Sequence, residues 1–158
     1  MLPGSFLRLA PCKGALSAAL RAAEPNMTIL LSPGVYVELD GLFCDVEGVS
    51  ILGFDGMDST ENRSSTIMGD IGQPNKRTFF EVTATRFLMR NVNLEVTSSV
   101  ALKSENSEVA SCCVLISKSS EAVLDHCRIS SEKRLVGLSI EQYSRPSIIF
   151  CDIANNKW

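Results

Sequence analysis

Three segments of the chain share one pattern. They are Phe87-Leu-Met-Arg-Asn-Val-Asn-Leu94, Ala122-Val-Leu-Asp-His-Cys-Arg-Ile129 and Pro146-Ser-Ile-Ile-Phe-Cys-Asp-Ile153. Each reads apolar, any, apolar, polar, turn residue, apolar, polar, apolar; Ile149 and Phe150 relax the last one. About ten residues upstream of each lies a second repeated strand: Thr78–Val82, Cys112–Ile116 and Val136–Ile140. From the second unit to the third, both strands advance by 24 residues. From the first to the second they advance by 34 and 35, which places an insertion in the polar stretch Ser98–Glu108. A fixed period of this length with several short strands per repeat is the mark of a solenoid. Leucine-rich repeats have a similar period, but their Leu and Asn consensus is absent. Asn91 and His126 occupy the same turn position, and both residue types tolerate a left-handed backbone. The expected fold is therefore all-β: a right-handed parallel β-helix of about five rungs.

Such a coil stacks like residues on like, about 4.8 Å apart. The register puts Met89, Leu124 and Ile148 in one inward column, Val92, Cys127 and Cys151 in a second, and Leu94, Ile129 and Ile153 in a third. Phe80, Val114 and Leu138 form a fourth, and Val82, Ile116 and Ile140 a fifth. The same register sets Arg90 over Asp125 and Arg128 over Asp152, so these charges have a structural account as cross-strand pairs.

Ahead of the repeats, Leu16, Ala19, Leu20 and Ala23 fall on one helical stripe that Pro25-Asn26 closes. Residues 1–23 carry Arg8, Lys13 and Arg21 and no acid, whereas the remaining 135 residues sum to -6. An acid-free start with arginines is also the composition of a mitochondrial transit peptide; the other reading is a helix belonging to the domain. Residues 1–13 read as an N-terminal extension and 14–158 as a single β-helix domain.

The segments Ala15–Ala23, Thr28-Ile-Leu-Leu-Ser-Pro-Gly-Val-Tyr-Val-Glu38 and Gly48–Gly53 resemble the opening of pectate-lyase-like β-helix proteins. The resemblance covers about residues 14–154 and implies an N-terminal capping α-helix with the Pro-Gly-Val-Tyr turn beginning the first rungs. Closest in flavour are the non-catalytic β-helix domains of F-box adaptors and of SHC-SH2-binding proteins, which implies an intracellular protein-binding role. The same opening serves lyases and esterases, so a carbohydrate-active enzyme or polysaccharide-binding protein is the alternative. Enzymes that look like this work with clustered carboxylates and an Arg or Lys on one outer face.

That face is expected to carry Phe79, Cys113 and Gly137, then Glu81, Leu115 and Ser139, then Thr83, Ser117 and Glu141. Glu81 and Glu141 stand in different columns, with no Asp pair, Arg or Lys beside them. General acid–base work needs two groups converging on one bond, and a Ca²⁺ site needs several oxygens. No catalytic residue is assigned. The candidate partner-binding face is Phe79, Glu81, Leu115, Ser139, Glu141 and Ile149, with Phe79, Leu115 and Ile149 exposed on a flat sheet. The acids Asp55, Asp58, Glu61 and Asp70 read as a solvated loop, and His126 as a turn residue beside Asp125 rather than a general base.

Six cysteines without a CxxC pair, and one histidine, do not make a zinc site; scattered in apolar strands, they read as reduced and buried. No cofactor or metal is expected, and the reduced thiols point to a cytoplasmic location. The sequons at Asn26 and Asn62 carry little weight. The net charge of -3 disfavours a nucleic-acid partner, and no apolar run spans a bilayer. The expected partner is a protein, and an oligomer or larger assembly fits as well. The coil is expected to be incomplete, or covered, at its C-terminal end, with Trp158 as a partial plug.

Overall fold

The computed structural model describes residues 4–54, 64–72, 77–98, 111–118, 120–131 and 135–154. The chain opens with strand β1 (Phe6–Leu9) and helix α1 (Ala15–Arg21). Three strands follow, β2 (Thr28–Leu31), β3 (Gly34–Glu38) and β4 (Leu42–Cys44), and then three more, β5 (Val49–Leu52), β6 (Ser65–Asp70) and β7 (Thr78–Val82). The third and fourth sets are β8 (Arg86–Arg90), β9 (Val92–Thr97) and β10 (Cys112–Ile116), then β11 (Glu121–Asp125), β12 (Arg128–Ser131) and β13 (Val136–Ile140). Strands β14 (Ser147–Ile149) and β15 (Asp152–Ala154) begin another set.

Members of each set go to three different sheets, in rotation. The first sheet runs β1-β2-β5-β8-β11-β14, the second β3-β6-β9-β12-β15 and the third β4-β7-β10-β13. Every pairing among the described strands is parallel. Adjacent coils therefore bond edge to edge, and the chain winds as a stack of three-sided rungs. Two of the strands had no counterpart in the sequence reading. Phe6–Leu9 falls in the stretch read as an extension, yet it pairs with Thr28–Leu31; Leu42–Cys44 is too short to show a period.

The apolar columns follow the repeat. Leu124 lies between Met89 and Ile148, Ile129 between Leu94 and Ile153, Val114 between Phe80 and Leu138, and Ile116 between Val82 and Ile140. Phe80 adds an edge-to-face contact with Phe87 across the core, ring centroids 5.7 Å apart. The column Val92–Cys127–Cys151 carries free thiols. Cys127 Sγ donates to the Met89 carbonyl and Cys151 Sγ to the Leu124 carbonyl, at 3.3 and 3.4 Å. Since Met89 and Leu124 are register partners, each thiol bonds the rung below it in the same way.

The turn between the first and second sheets is a column of its own. Asn91, His126 and Phe150 take left-handed φ values of 56°, 51° and 48°. The Asn91 N–H donates to the Asp125 carbonyl and the His126 N–H to the Ile149 carbonyl, both onto the next rung. Left-handed backbone costs an L-residue about 1–2 kcal/mol, and here it is held by these bonds and by the strands on either side.

Helix α1 packs against β3 and β4, burying Leu16, Ala19 and Leu20; the stripe expected through Ala23 ends as helix at Arg21. Its N-terminus has no side-chain cap of its own, and Gly14 precedes it in a left-handed conformation. The free N–H groups are met from a distance. Leu16 N–H donates to Glu38 Oε1 at 2.8 Å and Ser17 N–H to Oε2 at 3.3 Å, and Gly14 N–H reaches the Val37 carbonyl. Glu38 is 1% exposed and occupies an inward position of β3, above Gly69 of β6. A buried carboxylate at the positive end of a helix meets both of its needs at once, hydrogen bonds and opposite partial charge.

Two stability measurements follow. Glu38→Ala strands the buried Leu16 N–H and the half-buried Ser17 N–H and should cost about 2 kcal/mol in chemical denaturation; an unchanged midpoint would detach the helix from this carboxylate. Leu124→Ala, in the middle of its column, should cost about 3 kcal/mol, against a much smaller loss for Ile148→Ala on the rung above.

Candidate functional site

The outer surface of the third sheet holds most of the residues assigned to a partner-binding face. Glu81, Leu115 and Ser139 are register partners on β7, β10 and β13, and all three are half-buried. Glu141 is exposed just past β13, where its N–H still donates to the Ile116 carbonyl. Ile149 is exposed too, but lies on the first sheet, in register with Asp125. The structure therefore joins three of the six residues into one row, sets Glu141 near its end and puts Ile149 on another side.

Phe79 is a correction. It was expected at the surface and is 1% exposed. Strict alternation breaks at the start of the third-sheet strands, where Phe79 and Phe80 are buried in succession, as are Cys112, Cys113 and Val114. The Phe79 ring lies against Gly69 of the neighbouring β6, in the space that a Cβ there would occupy. Gly69 has no side chain, so the ring finds a slot under the preceding strand instead of facing water. Ser117, placed on the same face, is buried as well, with its hydroxyl 3.5 Å from Glu81 Oε1.

Apolar side chains are exposed elsewhere. Val35 and Val37 of β3 and Met68 of β6 stand outward on the second sheet, with Val37 directly opposite Met68. Leu39, just past β3, is exposed as well, and so is Phe43 of β4, which lies on the third sheet in register with Glu81. Farther along, the same row of the second sheet turns polar, with Glu95 and then Ser130 opposite each other. Exposed apolar residues on a first or second rung could not be read from the repeat, because the repeat begins later.

Between α1, β4 and β7 lies an open groove of about 690 Å³, with Arg21 and Arg77, Asp40, Asp45 and Glu81 on its walls and Phe43 beside them. Glu141 does not line it. Among the described residues no three His, Cys, Asp or Glu side chains gather as metal ligands. The acids Asp55, Asp58 and Glu61, the second sequon, most of the insertion and Trp158 lie outside the described residues; Asp70 ends β6.

The best-formed polar cluster is on the first sheet. Asp125 accepts from Arg90 Nε at 2.7 Å through Oδ2 and contacts His126 Nδ1 at 2.6 Å through Oδ1. An ionised carboxylate only accepts, so the His126 Nδ1 carries the proton. The hydrogen bond from His126, and then Arg90, holds the Asp125 carboxyl below the usual carboxylate range. The His126 ring lies 5.0 Å from that of Phe150, its successor in the turn column. His126 is thus both a left-handed turn residue and the partner of Asp125. The second expected pair, Arg128 with Asp152, is longer, 3.6 Å, with both side chains more than half exposed. Arg86 and Glu47 make a third pair at 2.8 Å.

Burial also sets the thiols. Desolvation pushes Cys44 and Cys113 up to about 11 and Cys127 up to about 12. These thiols stay protonated near neutral pH and are poor nucleophiles. Among the described residues no helix is long and apolar enough to cross a membrane.

Comparison with family models, with curated proteins and with solved structures finds no match for this chain. The fold defines a class: a three-sheet β coil, all-parallel among the described strands.

Three outcomes test this geometry. A double-mutant cycle should give clear coupling for Arg90 with Asp125 and little for Arg128 with Asp152, where exposure screens the pair; equal values would break the assignment. Since the Asp125 carboxyl is depressed in the folded state, its contribution is complete above the unfolded carboxylate range and lost as pH falls through the folded value. Asp125→Asn should therefore flatten the acid limb of the stability curve, and an unaltered limb would contradict the depressed value. Alkylation followed by mass spectrometry should label exposed Cys12 first and Cys127 last; early labelling of Cys127 would mean that its column opens to solvent.

Proposed function

We propose that this chain is a non-catalytic protein-binding module that offers a flat outer sheet face to a protein partner. The observation that carries the reading is the exposed apolar group of Val35, Val37 and Met68 on the outer face of the second sheet. A parallel sheet holds such side chains at fixed spacing, so a partner loses little freedom of this surface on binding. Contiguous apolar surface of this kind marks interaction sites. The half-buried row Glu81–Leu115–Ser139 and exposed Glu141 supply a more polar flank on the third sheet.

The resemblance to pectate-lyase-like coils, and within them to the β-helix domains of F-box adaptors and SHC-SH2-binding proteins, belongs to this proposal. It is supported by the place of the quoted residues: the Pro-Gly-Val-Tyr segment starts β3, and α1 packs on β3 and β4. A cytoplasmic location is part of the same reading, in keeping with the free thiols.

Immobilised chain and its Val37→Lys/Met68→Gln variant, which sets no like charge beside Glu95, provide the test. The variant should lose a stoichiometric protein partner, by about tenfold or more in affinity, while its circular dichroism stays that of the wild type. A partner retained by the variant would remove this face from the account. Binding of an acidic polysaccharide that is lost in Glu81→Gln would replace the proposal with the carbohydrate reading.

A further inference from the structure

The groove between α1, β4 and β7 has an order along its length. Helix α1 begins beside the end of β3, where the Gly14 N–H meets the Val37 carbonyl, and the chain leaves it beside Glu47, whose carbonyl accepts from the Asn26 N–H. The helix therefore runs alongside β4 in the same direction. Arg21, its last residue, stands at the Asp45 end of the groove, and Arg77, just ahead of β7, stands at the Asp40 end. Midway, Phe43 and Glu81 are register partners on neighbouring strands, so an aromatic ring and a carboxylate stand side by side on the outer face. Phe43 is 48% exposed. Elsewhere on the coil Arg86, Arg90 and Arg128 each hold a carboxylate. Here, among the described residues, the side chains of Arg21, Arg77, Asp40 and Asp45 make no hydrogen bond or ion pair, and no cation lies on the Phe43 ring.

We propose that this groove docks an extended segment of a partner protein, with an arginine or lysine at its centre and an acidic residue about four positions away. A guanidinium or ammonium group fits the centre, because the ring face of Phe43 attracts a cation and Glu81 supplies the counter-charge. Arg77 calls for an acid. It precedes Glu81 by four positions, about 13 Å of strand, so a segment lying along β7 brings its own fourth neighbour to it. Arg21 receives an acid on the opposite side in the same way. A uniformly acidic segment would meet three carboxylates on these walls, and a uniformly basic one would meet two guanidiniums. A free amine would fill the centre alone and leave both arginines unmet. A segment that places a base between acids is the one whose charges match the groove from end to end.

The site goes beyond the apolar group of Val35, Val37 and Met68, which lies on another sheet, and a free peptide tests it without the partner, so the two proposals fail independently. The test is fluorescence anisotropy with the whole chain and labelled peptides. The first peptide is Asp-Gly-Ser-Gly-Arg-Gly-Ser-Gly-Asp. The second has the same composition with its three charges adjacent, and the third has Gln in place of the central Arg. Wild type should bind the first about fivefold or more tighter than either of the others. Phe43→Leu and Glu81→Gln should each weaken it about threefold, and Arg77→Gln should remove the preference for spaced charges. Val37→Lys/Met68→Gln should bind it as wild type does. Circular dichroism identifies any variant that fails to fold, and the comparison of peptides on the wild-type chain decides without a variant. No binding of the first peptide at millimolar concentration, or equal binding of the first and second, would overturn the proposal. So would full affinity in folded Phe43→Leu and Glu81→Gln, or a loss in folded Val37→Lys/Met68→Gln, which would move the peptide to the second sheet.

Discussion

The parallel backbone ladder is the constraint from which the rest of the molecule follows. Hydrogen bonds between neighbouring coils fix each residue directly above another, about 4.8 Å away. Once that register is set, a side chain has little choice of neighbour. Met89 must meet Leu124, and Leu124 must meet Ile148. Arg90 must meet Asp125. The thiols of Cys127 and Cys151 find equivalent carbonyls because Met89 and Leu124 are themselves equivalent. Even the left-handed turn is repeated, with Asn91, His126 and Phe150 in one line.

A coil of this kind has a problem at its ends that its middle does not share. At one end helix α1 covers the strands of two sheets, and the cover is fastened by Glu38, whose carboxylate reaches the free N–H groups of Leu16 and Ser17. The carboxylate comes from an inward strand position, where most of its equivalents are small or apolar: Gly69, Val96 and Ser131. That exchange of an apolar side chain for a buried charge makes sense only with the helix in place. At the other end the inward isoleucines emerge into solvent with no such device among the described residues.

Much of this was legible in the sequence, and the reason is periodicity. Spacings of 34 or 35 and then 24 residues between equivalent strands give the register of the later coils, hence the five apolar columns and the Arg90–Asp125 pair. The turn position of Asn91 and His126 was legible for the same reason. What escaped were the features that break the period. Phe79 should face outward by alternation, but Gly69 on a different strand opens a slot for its ring, and no local pattern reports that. Phe6–Leu9 and Leu42–Cys44 lie before the repeat becomes regular. Glu38 carries no local signal at all, since its partners are 21 and 22 residues away. The register of Glu81, Leu115 and Ser139 was legible, although Leu115 is half-buried where alternation put it in the open, while the exposed apolar residues of the second sheet lay outside the repeat and could not be placed.

The functional reading rests on this regularity as well, because a rigid, repeated surface is what the exposed side chains of β3 and β6 are mounted on. The most direct measurement of the central claim is therefore the register itself, by nuclear Overhauser contacts in solution. The account predicts backbone contacts between residues distant in sequence: Leu88 with Val123, Val123 with Ser147, and Leu94 with Ile129. Contacts instead between strands adjacent in sequence, such as β8 with β9 in an antiparallel hairpin, would contradict the coil and every column built on it.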